Sequence, residues 1–293
     1  MMTDEPLIGP VEAPDLHVMS FNVRRRMPRN RPGSPDRWAT RKPLVRRLLA
    51  AERPTVLGVQ EALDEQVEVV GHALGGTHRW VGTGRDPGGH GEACPVYYDA
   101  ERLELTNWRQ LALSATPDEH GSRSWGNLTR RLVVSAEFTD RETGGRLRVL
   151  NTHLDHLSRR SRLQSALMIA GLAHAAQLDE PDAAIVVTGD FNADERSAVH
   201  RRLTGDGVLR DVWDATAERL TPEWGTFSNY GPRRRGGRRI DLILVGGAAE
   251  VTHAGINATR FEGRAASDHE PVQAVLRHRS IDAAATVRTK EAG

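Results

Sequence analysis

A short run of β-branched apolar residues that stops abruptly at polar ones recurs along this chain, and it constrains the fold more than any other feature. Ile185-Val186-Val187-Thr188 leads straight into Gly189-Asp190-Phe191-Asn192. The run has the length and composition of a buried strand. Residues i and i+2 of an extended chain share a face, so Asp190 and Asn192 can project together from the strand end. Both residue types also favour turns, and taken alone this ending is equally a plain turn. The pattern returns at Leu16 to Val23, with Asn22 near its end, and at Thr55 to Glu61. Arg146 to Asn151 runs into Thr152-His153. Arg239 to Val245 embeds Asp241, which wants a partner because a buried unpaired carboxylate is costly. Ser267-Asp268-His269 stands just before the last strand candidate, Glu270 to Leu276.

Further strands are expected at Ala93 to Tyr98, Arg102 to Leu113, Arg130 to Phe138 and Ala249 to Asn257, with a hairpin turn at Gly144-Gly145. Helices are expected from Thr40, as cap, to Glu52, from Asp64 to the Gly75-Gly76 pair, from Arg159 to Gln177 and from Glu195 to Leu203. Pro43 is tolerated only if it falls in a first helical turn. Strands outnumber helices and the helices are scattered between them, which excludes a bundle and indicates layered α/β architecture. The loop Gly82 to Gly91 lacks the Lys-Ser/Thr ending of a phosphate-binding P-loop.

Residues 1–15 read as a disordered leader and 280–293 as a disordered tail, leaving 16–279 as one domain without a linker. A net charge of +1 gives no global field to draw nucleic acid or membrane. Cys94 is the single cysteine, so no intramolecular disulfide can form. No run approaches the roughly 18 apolar residues of a membrane span. A cytoplasmic monomer without a membrane anchor is therefore the default expectation.

The polar residues at these strand ends are Asn22, Glu61, Glu92, His153, Asp190, Asn192, Asp241, Asp268 and His269. The set is rich in oxygen donors and has only two histidines, which favours Mg²⁺ or Mn²⁺ over Zn²⁺. Mg²⁺ takes one or two carboxylates and completes its shell with water and substrate phosphate, so the set points to phosphoryl chemistry.

Seven segments in order then resemble the endonuclease/exonuclease/phosphatase (DNase I-like) superfamily. They are Ser20-Phe21-Asn22-Val23, Val59-Gln60-Glu61, Gly91-Glu92, Asn151-Thr152-His153-Leu154-Asp155, Thr188-Gly189-Asp190-Phe191-Asn192, Arg239-Ile240-Asp241-Leu242-Ile243 and Ser267-Asp268-His269. The resemblance implies a four-layered α/β sandwich, two mixed sheets packed face to face with helices outside and the site at one edge. It implies a Mg²⁺- or Mn²⁺-dependent phosphoesterase. Glu61 resembles the principal metal ligand, with Asn22 and Asp268 assisting. Asp190 and Asn192 resemble the pair that positions the attacking water. His153 and His269 resemble the histidines flanking the phosphate, with Glu92 orienting the first and Asp241 the second.

Trp125 and Arg131 resemble a subgroup pattern that would put Arg131 at a substrate phosphate, and Arg24 is a second such candidate. Arg24-Arg25-Arg26 and the run Arg233 to Arg239 flank expected site residues and read as a basic rim for an anionic substrate. Gly189 is expected to leave room for that substrate. The preferred substrate is a phosphodiester, nucleic acid among those that fit. The alternatives are a phosphomonoesterase acting on a small metabolite or a lipid or inositol head group, and an inactive binding module on the same fold.

Overall fold

The computed structural model describes residues 5–279. Its strands, in chain order, are β1 (Asp15–Asn22), β2 (Val56–Gln60), β3 (His78–Val81), β4 (Gly84–Asp86), β5 (His90–Ala93), β6 (Val96–Asp99), β7 (Leu103–Ala112), β8 (Leu132–Asp140), β9 (Arg146–His153), β10 (Ala184–Asp190), β11 (Arg210–Asp211), β12 (Glu218–Arg219), β13 (Asp241–Gly247), β14 (Ala249–Ile256) and β15 (Val272–His278). The helices are α1 (Trp38–Glu52), α2 (Asp64–Leu74), α3 (Arg159–Asp179), α4 (Ala198–Thr204) and α5 (Val212–Ala215). One mixed sheet has the order β12-β14-β15-β1-β2-β6-β3, and the other β11-β13-β10-β9-β8-β7.

Alternation along each strand divides the core. Leu16 and Val18 of β1, Val149 of β9, Val186 of β10 and Ile243 of β13 meet between the sheets. Their neighbours Met19 and Phe21 turn the other way, onto Val45 and Leu49 of α1 and Val70 of α2. Leu150, Ile185 and Leu244 likewise turn outward, onto Ile169 of α3 and Leu203 of α4. The result is the four-layered α/β sandwich expected, helices outside two sheets. Each fully buried Val, Leu or Ile contributes about 1.5–3 kcal/mol.

Strands β3, β4, β5, β11 and β12 were not expected, β4 and the start of β5 lying in the stretch read as the loop Gly82 to Gly91, and three further expectations differ. Helix α1 begins at Trp38 rather than Thr40, so Pro43 lies inside it. The earlier start goes with Arg41, which is fully buried and donates to the carbonyls of Val23 at 2.7 Å and Arg24 at 3.0 Å. The described part of the leader is bound, not free. The buried Glu52 carboxylate accepts the N–H groups of Leu7 at 2.7 Å, Ile8 at 3.2 Å and Gly9 at 3.1 Å, and Nδ2 of Asn257 at 2.7 Å. Four donors satisfy a carboxylate that could not otherwise stay buried. Residues 1–4 and the expected tail 280–293 lie outside the described residues. Finally, a Cβ at Gly189 would lie 2.6 Å from the Thr152 carbonyl, so this glycine lets β10 close on β9 rather than making room for substrate. No helix among the described residues is long and apolar enough to cross a membrane.

Candidate active site

The side-chain parity that builds the inter-sheet core also builds the site. Along β10 the inter-sheet positions read Ala184, Val186, Thr188, Asp190; along β9 they read Leu147, Val149, Asn151, His153. The strands are parallel, and Asp190 stands in register with His153 on one side and with Asp241 of antiparallel β13 on the other. In the facing sheet, Leu16, Val18, Ser20 and Asn22 run the same way along β1. Each strand is apolar in the middle and polar at one shared edge. Between the two zones Asn151 ties the sheets together. Its Nδ2 donates to the Val59 carbonyl at 2.8 Å, and its Oδ1 accepts from Gln60 at 2.8 Å and Thr188 at 3.0 Å.

At the edge, Asn22 Nδ2 donates to Glu61 Oε1 at 3.1 Å and to Asp190 Oδ2 at 3.0 Å. Glu61 follows β2 with a positive φ of 63°, a costly conformation for a glutamate, and the Arg25 N–H holds its other oxygen at 3.1 Å. Asp190 Oδ2 lies 3.5 Å from His153 Nε2 and 3.8 Å from His269 Nε2. His269 Nδ1 lies 2.8 Å from Asp241 Oδ2, the carboxylate backing the sequence led us to expect. Asn192 reaches the same point by a different route than strand alternation. The chain turns at Asp190, whose Oδ1 accepts the Asn192 N–H at 2.9 Å, and Asn192 has φ 48°. Its Nδ2 then donates to the Leu154 carbonyl at 3.0 Å and faces His153 Nε2 at 3.0 Å.

Electrostatics separate the two histidines. Burial, joined by the charges of Arg131 and Arg85, holds the His153 imidazole well below its ordinary range, so it is neutral. Burial would lower His269 too, but Asp241, in charge and hydrogen bond, and then Asp190 outweigh it and hold it well above. Burial and the neighbouring Asp241 charge push Asp190 up to about 7. Burial would raise Glu61, yet the His269 charge, the Arg25 N–H and the Asn22 amide hold it below the usual range. Burial raises Asp268, against the opposing charge of His269 and with the help of Glu61.

Glu61, His153 and Asp190 each bring a ligand atom within 4.8 Å of the others. Three buried or nearly buried carboxylates, Glu61, Asp190 and Asp268, crowd one wall, and a divalent cation is the partner such crowding calls for. The donor set therefore fits a hard metal ion. Asp268 lines the same cavity of about 420 Å³, but its carboxylate faces Arg24 Nε at 3.6 Å.

Two expectations about charged residues are corrected. Glu92 does not orient His153: its Oε1 takes Arg85 at 2.8 Å and Arg25 at 3.3 Å, because two guanidinium ions outcompete a neutral imidazole. Arg24 also lines the cavity, with its guanidinium held by carboxylates, Asp36 at 3.3 Å and Asp268 at 3.6 Å. Arg239 is not part of a rim. It is buried, with Nη1 2.9 Å from Asp211 and its guanidinium over the Trp213 ring. Arg131 does line the cavity.

Arg85, Thr129, His156, Phe227 and Asn229 also line it, and none of them had a role in the reading of the sequence. Phe227 is 49% exposed with its ring 4.8 Å from that of His269. Arg85 carries a legible signal only in retrospect, since it sits on the strand paired with the one that bears Glu92.

Residues 19–269 match the profile of the Endonuclease/Exonuclease/phosphatase family. The solved endonuclease/exonuclease/phosphatase from Bacteroides vulgatus is 28% identical, with a TM-score of 0.81 over 90% of this chain and 99% of that one. The mannosyl-6-phosphatase of Bacteroides thetaiotaomicron is 27% identical, with a TM-score of 0.81 over 89% of this chain and 99% of that one. An uncharacterized protein of Acanthamoeba polyphaga mimivirus is 25% identical over an alignment of 182 residues that covers 55% of this chain and 61% of that protein.

Proposed function

This chain belongs to the endonuclease/exonuclease/phosphatase family, and we propose that it is a divalent-metal-dependent phosphoesterase that cleaves a P–O bond by in-line attack of water. The observation that carries the reading is the position of Asp190, an acceptor 3.5 Å and 3.8 Å from the facing nitrogens of His153 and His269. Glu61, with Asn22 and Asp190 beside it, would hold Mg²⁺ or Mn²⁺, which offsets phosphate charge and polarises a phosphoryl oxygen. Asp190 accepts a proton from the water as its oxygen bonds to phosphorus. Asn192, fixed by the Leu154 carbonyl, orients that water or a phosphate oxygen. His269, cationic beside Asp241, neutralises charge building on the phosphoryl group and can give its Nε2 proton to the departing ester oxygen. His153, neutral, serves as a hydrogen-bonding partner to the phosphate.

The ester class has two readings. A phosphodiester was the preferred expectation; of the arginines expected to form a basic rim, Arg239 is buried and Arg24 is ion-paired, while Arg233, Arg234, Arg235 and Arg238 stay exposed. A phosphomonoester is favoured by the similarity to a mannosyl-6-phosphatase. Release of p-nitrophenol from p-nitrophenyl phosphate and from its bis ester, with Mg²⁺ or Mn²⁺ added, tests the class. Loss of that release in Asp190→Asn and His269→Ala is the expected result. A wild type inert on both esters with either ion would leave the phosphoesterase reading without support.

A further inference from the structure

We infer that a second cavity, lined by Phe227, Arg234 and Arg235, binds an anionic group of the substrate beyond the phosphate under attack, which makes the substrate a phosphoester with at least two anionic groups. The inference rests on the phosphoesterase reading for calling this ligand a substrate, but not for the existence of the site.

The arginine-rich segment doubles back on itself. The Gly225 N–H donates to the Arg234 carbonyl at 2.9 Å, and the Thr226 N–H to the Arg238 carbonyl at 3.1 Å. The two arms come this close because a Cβ on Gly225 or on Gly237 would lie 3.1 Å or 3.0 Å from the other's Cα. The arginines therefore stand on a hydrogen-bonded hairpin. Most of them are committed. Arg233 lies over the Trp224 ring, 5.1 Å from its centroid, and donates to the Ala258 carbonyl at 3.3 Å. Arg238 Nε reaches Asp194 at 2.7 Å, and Arg239 is buried on Asp211 at 2.9 Å. Arg234 and Arg235 differ: both are exposed, and neither side chain has a hydrogen bond, ion pair or ring contact among the described residues. One exposed arginine is ordinary. Here two line one cavity of about 510 Å³ whose lining holds no carboxylate.

This cavity adjoins the catalytic one. Phe227 lines both, Ser228 lines this one and Asn229 the catalytic one. The backbone between them is pinned to the site, because the N–H groups of Ser228 and Asn229 both donate to the Asp268 carbonyl at 3.0 Å. Phe227 forms a β-bridge with His269, packs its ring 4.8 Å from the imidazole and still leaves 49% of its surface exposed. An apolar ring left open beside a reacting centre is a platform for a ring of the ligand. A ligand whose one phosphate lies among Asp190, His153 and His269 can lay its ring on Phe227 and offer a further anion to Arg234 and Arg235. The planar fork of each guanidinium matches two oxygens of a phosphate. The volume is that of a small-molecule site.

The test is calorimetric titration of the full chain with Mn²⁺ present, carrying Asp190→Asn to prevent turnover. The probes are thymidine 5′-phosphate beside thymidine 3′,5′-bisphosphate, and glucose 6-phosphate beside glucose 1,6-bisphosphate. In at least one pair the bisphosphate should bind about tenfold tighter or more, the scale of one charge-assisted contact. Arg234→Ala and Arg235→Ala together should abolish that gain and leave the monophosphate affinity unchanged. Lysine at both positions should keep part of the gain, which a merely structural role of the two arginines would not produce. The pair that shows the gain identifies the ring as base or sugar, and either supports the site. Equal affinities within both pairs, or a gain that survives the double alanine variant, overturn the inference. The same gain in a chain that hydrolyses neither p-nitrophenyl ester supports the site and counts against the phosphoesterase reading alone.

Discussion

Asp190 and Asp241 are register partners on adjacent antiparallel strands, yet their carboxylates turn to different neighbours: Asp241 Oδ2 takes His269 Nδ1 at 2.8 Å, and Asp190 Oδ2 takes Asn22 Nδ2 at 3.0 Å. Two buried carboxylates side by side cannot both ionise freely. The His269 cation makes the arrangement tenable, because it answers to both. Asp241→Asn removes the charge that outweighs the burial of His269. The imidazole, cationic above its usual range in the wild type, should then titrate lower. Turnover should fall on the order of 10²-fold or more. Proton NMR of the His269 ring against pH follows the first effect, and an unshifted titration would show that the pair does not control the histidine.

The crowding of Glu61, Asp190 and Asp268 makes a thermal prediction. A divalent ion that binds only the folded chain stabilises it by about 2.7 kcal/mol at a hundredfold excess over its Kd. Mn²⁺ or Mg²⁺ should therefore raise the melting temperature by several degrees over chelator-treated protein. Glu61→Gln should lose most of that rise. Calorimetric scans with and without the ion decide it, and identical curves would remove the metal from Glu61.

Gly58 of β2 packs closely against the facing sheet. A Cβ there would come 2.1 Å from Thr188 Oγ1 and 2.7 Å from Asn151 Oδ1. Gly58→Ala should cost about 1–3 kcal/mol as an overpacked core position. It should also cost activity, because Thr188 stands two residues before Asp190 on β10. Urea unfolding and steady-state rates measured together check the coupling; a destabilised variant with full activity would break it.

His17 gives the pH dependence of folding. Burial brings its imidazole down to about 4, against the opposing charge of Glu52, while its Nδ1 meets the Gly9 carbonyl at 2.8 Å. The unfolded chain therefore takes up a proton between pH 6.5 and about 4 that the folded chain refuses. Stability should be full above pH 6.5, fall through that window by on the order of 3 kcal/mol, and lose this slope below it. His17→Gln should flatten the dependence in denaturant titrations across the window. An unaltered slope would assign the effect to other groups.

The sequence by itself determined the longer strands, their buried faces and the residues at their ends, but not the short strands β3, β4, β5, β11 and β12. Period-two alternation and an abrupt change from Val and Ile to Asp, Asn and His are local signals, and Asp190, His153, Asn22, Glu61 and His269 were legible from them. Partnership was legible only where the chain leaves little choice: Asp241 inside an apolar strand needed a counter-ion, and His269 supplies it. Tertiary structure alone decided the long-range competition for charge. Glu92 went to Arg85 and Arg25 instead of His153, Arg24 to Asp36 and Asp268, and Glu52 to a segment more than forty residues earlier in the chain. A guanidinium on a flexible stem takes whichever carboxylate the fold brings within reach. Sequence spacing carries no record of that distance.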